Sequence, residues 1–202
     1  MEKLAETDYP IHDLLQRRWS PRAFSDRMVE PERLRSLWEA ARWAPSSFNE
    51  QPWNFIVATR QDQAEYTRLL SCLVENNIRW AQKAPVLMIS VAKLSFEKDS
   101  EPNRHAFHDV GLAVENLVIQ ATAFGLVLHQ MAGIYPEKVR ELYRIPDQYE
   151  PVAAIALGYP GDPGTLPDGL RQRELAKRTR KPLREFVFTG RWEQVSPLLF
   201  GE

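Results

Sequence analysis

The sequence contains little cysteine, little net charge and no long apolar run. Cys72 is the only cysteine among 202 residues, which excludes an internal disulfide and a Cys-x-x-Cys metal or redox site. The formal net charge of −1 argues against a general binder of nucleic acids or membrane surfaces, because such proteins are normally basic. The longest apolar run, residues 85–92, is too short to span a bilayer, and the first residues lack the apolar core of a signal peptide. We therefore expect a cytoplasmic protein without nucleic acid or membrane partners.

The usual phosphate-binding motifs of nucleotide sites are also missing. The sequence has no Gly-x-Gly-x-x-Gly after a strand and no Walker loop, so arginine and serine side chains would have to hold any phosphorylated cofactor. Arg18, Ser20 and Arg22 alternate in an extended stretch and could together surround a phosphate. A second basic cluster spans residues 171–184, where Glu174 is the only acidic residue. Solvated, arginine-rich helix surfaces remain the simpler interpretation of both clusters.

Apolar spacing predicts one domain over residues 1–202, with 44% hydrophobic and 26% charged residues. A first helix is expected to run through Trp19 and to end at Pro21, and a long buried helix to end at Gly125. Strands are predicted at residues 54–59, 84–92, 126–128 and 152–157. Further helices are predicted at 61–70, 74–83 and 136–144, and a loop at 129–134. The basic and then apolar segment 165–202 is expected to pack on a partner subunit. His105 and His108 could contact a metal, but no further ligand set completes a site, so none is expected.

A polar stretch at residues 44–53 lies between a predicted helix and a predicted strand. Leu34, Leu37, Trp38 and Ala41 form the predicted buried stripe of the helix that leads into it. Two prolines interrupt both elements, and four polar side chains follow at close intervals: Ser46, Ser47, Asn49 and Gln51. This composition favours a rigid loop that forms hydrogen bonds and lies against a flat, polar group. An ordinary connection is the alternative.

Five motifs, in order, resemble the signatures of the FMN-dependent nitroreductase family. They are Arg18-Trp19-Ser20-Pro21-Arg22-Ala23-Phe24, Pro45-Ser46-Ser47-x-Asn49-x-Gln51-Pro52-Trp53, Gly125-Leu126 with Ala132-Gly133-Ile134, Ala156-Leu157-Gly158-Tyr159-Pro160, and Arg178-x-Arg180-Lys181-Pro182-Leu183. The resemblance covers nearly the whole chain. It implies an α+β fold with a central, mostly antiparallel sheet flanked by helices, built as an intertwined homodimer with two FMN molecules at the interface.

The resemblance also assigns candidate cofactor contacts, residue by residue. Those for the FMN phosphate and ribityl chain are Arg18, Ser20, Arg22, Arg178 and Arg180, with Trp19 in the same motif at a place that is often small or polar. Those against the isoalloxazine are Ser46, Ser47, Asn49 and Gln51, partly donated by the second subunit. The backbone of Gln130, Met131, Ala132 and Gly133 matches the loop along the flavin N5 edge, and Asn77 matches a contact to the pyrimidine side. Ala132 stands where some members carry glutamate.

The implied reaction takes hydride from NADH or NADPH onto flavin N5 and passes two electrons to a nitroaromatic, quinone or flavin acceptor by a ping-pong mechanism. The flavin carries the chemistry, so no catalytic residue is assigned. Asn49, Asn77 and Arg79 are candidate donors near flavin N1 and O2. Two alternatives stay open. One keeps the fold but performs reductive dehalogenation or flavin fragmentation, and the other is a non-enzymatic, anion-binding dimeric module.

Overall fold

The computed structural model describes residues 3–200. Its helices are α1 Asp13–Arg17, α2 Pro31–Arg42, α3 Gln63–Leu70, α4 Glu75–Ala81, α5 Ala106–Ala123, α6 Pro136–Tyr143 and α7 Asp168–Leu175. Its strands are β1 Trp53–Thr59, β2 Val86–Lys93, β3 Val127–Met131 and β4 Tyr149–Gly158. Within this range, no helix combines the length and the apolar character needed to cross a membrane.

The four strands form one antiparallel sheet in the order β1-β2-β4-β3. Strand β2 lies inside the sheet and is buried along nearly its whole length, as its continuous apolar sequence requires. Helices cover both faces, with Leu37 of α2 and Leu117 of α5 in one core and Leu69 of α3 and Trp80 of α4 in the other. These observations confirm the α+β class with a central antiparallel sheet flanked by helices. The homodimer remains a prediction.

Local sequence explains the two helices that pack together on one face. Pro31 occupies the first turn of α2, where its missing N–H costs nothing. Leu34, Leu37 and Ala41 of the predicted stripe are buried, and Trp38 is half-buried. Helix α5 is followed by Gly125, which adopts a left-handed φ of +70° that side-chain-bearing residues rarely accept. Each fully buried leucine contributes about 1.5–3 kcal/mol. The α2–α5 layer is therefore a firm base for the loop that follows α2.

Two boundaries differ from the sequence expectations. Strand β3 continues to Met131, which pairs with Ala154 of β4, so residues 129–131 are strand and not loop. The ladder to β4 and the burial of Met131 decide this, because neither is visible in the local sequence. Helix α1 has only five residues and ends at Arg17, before Trp19 and Pro21. Arg18 turns the chain into an extended conformation with ψ of 127°.

The C-terminal segment is the least regular part of the chain. Between α7 and residue 200 the chain forms two short 3₁₀ turns, at Leu183–Glu185 and Pro197–Leu199, and one isolated bridge between Phe188 and Val195. Four large apolar side chains of this stretch are exposed, those of Phe186, Trp192, Leu198 and Phe200, and Trp192 and Leu198 are 80% and 91% accessible. Such a surface supports the expectation that a partner covers it, although that packing remains a prediction. Residues 201 and 202 of the expected segment lie outside the described residues.

Candidate functional site

A pocket of about 250 Å³ opens where the segment after α1 meets the segment after α7. Every candidate phosphate contact borders it: Arg18, Trp19, Ser20, Arg22, Arg178 and Arg180. These residues come from two stretches more than 150 positions apart in the sequence. The fold therefore joins the two basic clusters into one concave surface.

The pocket is strongly positive. Lys3, Arg173 and Lys177 add to the four arginines named above. Within residues 3–200, none of those four arginines forms an ion pair with an acidic side chain. Burial and the neighbouring guanidinium groups of Arg18 and Arg180 lower the pKa of Arg178. An anion bound in the pocket would relieve this repulsion, and a phosphate ester fits arginine donors well.

Several of these side chains are already oriented by the protein. Arg18 Nη1 donates a hydrogen bond to Ser20 Oγ at 3.1 Å, so these two groups form one donor cluster. Arg178 Nη1 donates to the backbone oxygens of Lys3 and Gln16, at 2.6 and 3.0 Å. Arg178 thus also anchors the N-terminal segment, a structural role that the sequence did not indicate.

Among residues 3–200, Glu174 is the one acidic residue that lines the pocket, and it is only 1% exposed. Its Oε1 accepts hydrogen bonds from the backbone N–H groups of Arg22 and Ala23, at 2.8 and 3.0 Å, and its Oε2 accepts from Arg22 N–H at 3.0 Å. The carboxylate therefore holds the backbone of the segment 18–23, which carries candidate phosphate contacts and is called the phosphate segment below. Sequence reasoning missed this residue, although a lone acid within a basic run was the available signal.

His129 connects the phosphate segment to strand β3. The carbonyl oxygen of Pro21 lies 3.0 Å from His129 Nδ1, and the imidazole lies 4.6 Å from the ring centroid of Trp80. Burial, aided by the charge of Arg22, lowers the pKa of His129 to about 4. The imidazole is therefore neutral near pH 7, and Nδ1 donates to the carbonyl. Sequence reasoning did not single out this residue.

The chain after β3 is closely packed at Gly133. Its carbonyl oxygen accepts hydrogen bonds from Asn77 Nδ2 at 3.0 Å and from Val74 N–H at 3.1 Å. A Cβ at this position would lie 2.6 Å from Asn77 Nδ2 and 2.7 Å from Val74 Cγ2, so glycine is required for the close approach. Gln130 and Ala132 are exposed, whereas the side chain of Met131 is buried, so Met131 can offer only its backbone to a ligand. The fold thus brings candidate contact Asn77 against the predicted N5-edge segment.

The polar loop before β1 is held in a strained conformation. Phe48, Asn49 and Gln51 have left-handed φ angles of 52°, 59° and 49°, each costing about 1–3 kcal/mol in a residue with a side chain. Ser47 N–H donates to Oδ2 of the buried Asp109 on α5 at 2.9 Å, and Gln51 N–H donates to Ser46 Oγ at 3.0 Å. These bonds tie the loop to α5 and to itself, and the rigidity expected from its composition remains a prediction. Sequence reasoning missed the part played by Asp109.

Within one chain, the structure does not unite all the candidate residues. The polar loop leads into β1, at one edge of the sheet, whereas Gln130 to Gly133 end β3, at the other edge. Three inter-strand spacings separate these edges, about 14 Å. The candidates Ser46, Ser47, Asn49 and Gln51 therefore form a group apart from the phosphate pocket. Within residues 3–200, His, Cys, Asp and Glu side chains form no cluster of three that could hold a metal ion.

Comparison with known proteins places the chain in a family. The family model described as Nitroreductase family matches residues 15–159. A solved structure described as an oxidoreductase containing FMN covers 93% of this chain and 95% of its own, with 34% identity and a TM-score of 0.86. A Methanothermobacter thermautotrophicus protein, provisionally named NADH dehydrogenase/NAD(P)H nitroreductase, is 31% identical over 77% of this chain and 80% of its own. The FMN reductase [NAD(P)H] of Bacillus subtilis is 27% identical over 71% of this chain and 63% of its own. With nearly three quarters of its length matched by that model, the chain belongs to the nitroreductase family.

Proposed function

We propose that this protein is an FMN-dependent oxidoreductase that takes electrons from NADH or NADPH. The observation that carries the proposal is the cationic pocket, in which two basic segments distant in sequence meet around a space of about 250 Å³. A relative named as an FMN reductase and a structural neighbour described as containing FMN support the same cofactor and donor. Family membership alone does not assign residues to the phosphate, and the lining of the pocket supports the assignment that we propose.

The pocket suits the phosphate end of FMN in both charge and donor type. Arg18, Ser20, Arg22 and Arg180 would bind the phosphate and ribityl chain, and Arg178 would add charge while anchoring Lys3 and Gln16. A charge-assisted hydrogen bond contributes about 1.5–3 kcal/mol net. Two or three such bonds are therefore sufficient for tight cofactor retention. Trp19 borders the same pocket.

The ring end of the cofactor would lie along Gly133 and the exposed residues before it. The contact between Asn77 Nδ2 and the Gly133 carbonyl would hold this edge in place, and Asn77 would face the pyrimidine side. When bound, FMN supplies hydride transfer at N5, between the nicotinamide donor and an acceptor. A nitroaromatic, a quinone or a free flavin is the acceptor class we propose, in a ping-pong sequence on one open face.

A flavin test separates this proposal from the alternatives. Purified protein should be yellow, and NADH or NADPH should bleach the flavin band in anaerobic stopped-flow measurements. A panel of nitroaromatics, quinones and flavins should then restore the colour. A colourless protein that binds no added FMN would refute the proposal and favour the anion-binding module. Bleaching without reoxidation by any member of the panel would favour another flavin reaction on the same fold.

We further propose that each flavin site uses the phosphate pocket of one chain and the polar loop of a second copy. The separation of about 14 Å between the sheet edges supports this division. The exposed apolar side chains of the C-terminal segment, including Trp192 and Leu198, support a partner surface.

Mixing two inactive variants tests the shared site. Arg180→Ala should impair the pocket and Asn49→Ala the loop, so each homodimer alone should have low activity. If a site combines two chains, every mixed dimer contains one intact site, and random reassociation should restore about a quarter of all sites. Sites built within one chain would give no restoration, which would refute the division. Mixing either variant with itself is the control.

A further inference from the structure

The buried carboxylate of Glu174 lies in a pocket whose other charged side chains, within the part of the chain that the structure describes, are all positive. An acid at this position opposes the binding of an anion, and burying it costs free energy unless its oxygens are hydrogen-bonded. Both of its oxygens are in fact occupied by backbone donors, the N–H groups of Arg22 and Ala23. We therefore look for the role of this carboxylate in its hydrogen bonds to the backbone amides of Arg22 and Ala23.

Glu174 reaches across the chain to a segment 152 residues away. On its own side, Lys3 Nζ donates to the backbone oxygen of Glu174 at 2.7 Å, which fixes the end of α7 to the N-terminal segment. The hydrogen-bonded Arg22 lies directly after Pro21, whose carbonyl oxygen is held by His129 from the other direction. The backbone from Pro21 to Ala23 is thus fixed on both sides, next to the side chains that border the pocket.

Other roles for Glu174 fit the structure poorly. An exposure of 1% and occupied oxygens leave it no route to act as an acid or base on a ligand. Within residues 3–200 it belongs to no cluster of acidic, histidine or cysteine side chains that could hold a metal ion. A simple countercharge to the arginines would need no hydrogen bonds to backbone amides, yet Glu174 makes three.

We propose that Glu174 is a positioning residue for the phosphate of the cofactor. By holding the amides of Arg22 and Ala23, it sets the direction in which Arg18, Ser20 and Arg22 face the pocket. It also joins the two basic segments at a fixed separation. This inference rests on the proposed function, because it assumes that the pocket receives the phosphate of FMN.

Glu174→Gln tests the inference, since the amide side chain has similar size, no charge and only one acceptor oxygen. The dissociation constants of FMN and of riboflavin, which lacks the phosphate, are measured by quenching of flavin fluorescence on the apoprotein. We expect FMN to bind about 10- to 100-fold more weakly, with riboflavin affinity changed by less than about two-fold. A purely structural defect would weaken both ligands equally. A mere countercharge role would make FMN bind more tightly, because a negative charge is removed.

Two further variants complete the design. Glu174→Asp keeps the charge but is one methylene shorter, and it should weaken FMN by about 3- to 10-fold, less than glutamine does. Glu185→Gln, an exposed acid of the same segment, is the matched control and should bind FMN like wild type. Wild-type FMN affinity in the glutamine or the aspartate variant, or equal losses of FMN and riboflavin, would overturn the positioning role. If the wild-type protein itself fails to bind FMN, the proposed function fails instead, and the two failures are thereby distinguished.

Discussion

Adding one methyl group at Gly133 should disturb the packing between the end of β3 and helix α4. The new Cβ would lie 2.6 Å from Asn77 Nδ2 and 2.7 Å from Val74 Cγ2, closer than side-chain atoms tolerate. Val74 is β-branched and has little rotamer freedom, so it cannot move away easily. Asn77 can move, but only by giving up its hydrogen bond to the Gly133 carbonyl.

The expected loss in free energy of unfolding for Gly133→Ala combines overpacking and the lost hydrogen bond. Overpacking costs about 1–3 kcal/mol, and the lost hydrogen bond adds about 0.5–1.5 kcal/mol. For a domain of this size, 1 kcal/mol shifts Tm by about 2–4 °C, so Tm should fall by roughly 5–15 °C. Differential scanning calorimetry of the apoprotein measures this change without any contribution from a ligand.

A matched control and a double mutant isolate the cause. Gly169, in α7, would meet no atom within 4 Å on gaining a Cβ, so Gly169→Ala should be neutral or up to about 1 kcal/mol stabilising. In an Asn77→Ala background, Gly133→Ala should cost less, because one of the two clashes is absent. A Tm for Gly133→Ala equal to wild type, or a cost independent of Asn77, would refute the packing argument.

Two further predictions address charge. Arg180→Ala should weaken FMN binding roughly 10- to 150-fold, because one charge-assisted hydrogen bond of about 1.5–3 kcal/mol is lost. Titration of the apoprotein with FMN measures this change. Unchanged affinity would remove Arg180 from the phosphate contacts. The pKa of His129 is lowered to about 4 by burial and by Arg22, whereas the unfolded chain protonates near pH 6.5. Its contribution to stability is therefore present above pH 6.5 and is lost as the pH falls towards 4, by about 3 kcal/mol. Urea denaturation at pH 7 and pH 4.5 should show a smaller loss in His129→Asn than in wild type, and equal losses would contradict this assignment.

The spacing of apolar residues was sufficient to predict the helices and strands whose buried positions recur at regular intervals. The apolar run of β2 predicts a strand covered on both faces, and β2 is central and buried. The spacing of Leu34, Leu37 and Ala41 and the position of Pro31 predict α2, which the structure confirms. The resemblance to the nitroreductase family, and the α+β class that it implies, are confirmed as well. The individual cofactor contacts remain predictions.

Sequence reasoning failed where a residue acts on a distant backbone group. Glu174, Asp109 and His129 bind backbone groups of residues 152, 62 and 108 positions away, and no local spacing encodes such contacts. The polar end of β3 was expected as loop for the same reason, since Met131 is strand only because it pairs with Ala154. A buried carboxylate bonded to amides has the same sequence signature as a solvated one.

These contacts explain why anion binding and the assembly of the pocket from its two segments should stabilise each other. Lys3, Glu174 and Arg178 make polar contacts to backbone groups, and these contacts link the N-terminal part of the chain to residues 174–178. Burial, together with the charges of Arg18 and Arg180, lowers the pKa of Arg178, and this repulsion disfavours the assembled pocket. A bound phosphate offsets that repulsion and stabilises the assembled pocket by about 2.7 kcal/mol at a ligand concentration of 100 Kd. We therefore expect bound FMN to stabilise the contact between the segment that contains Arg22 and the segment that contains Glu174, whose carboxylate accepts the hydrogen bonds between them.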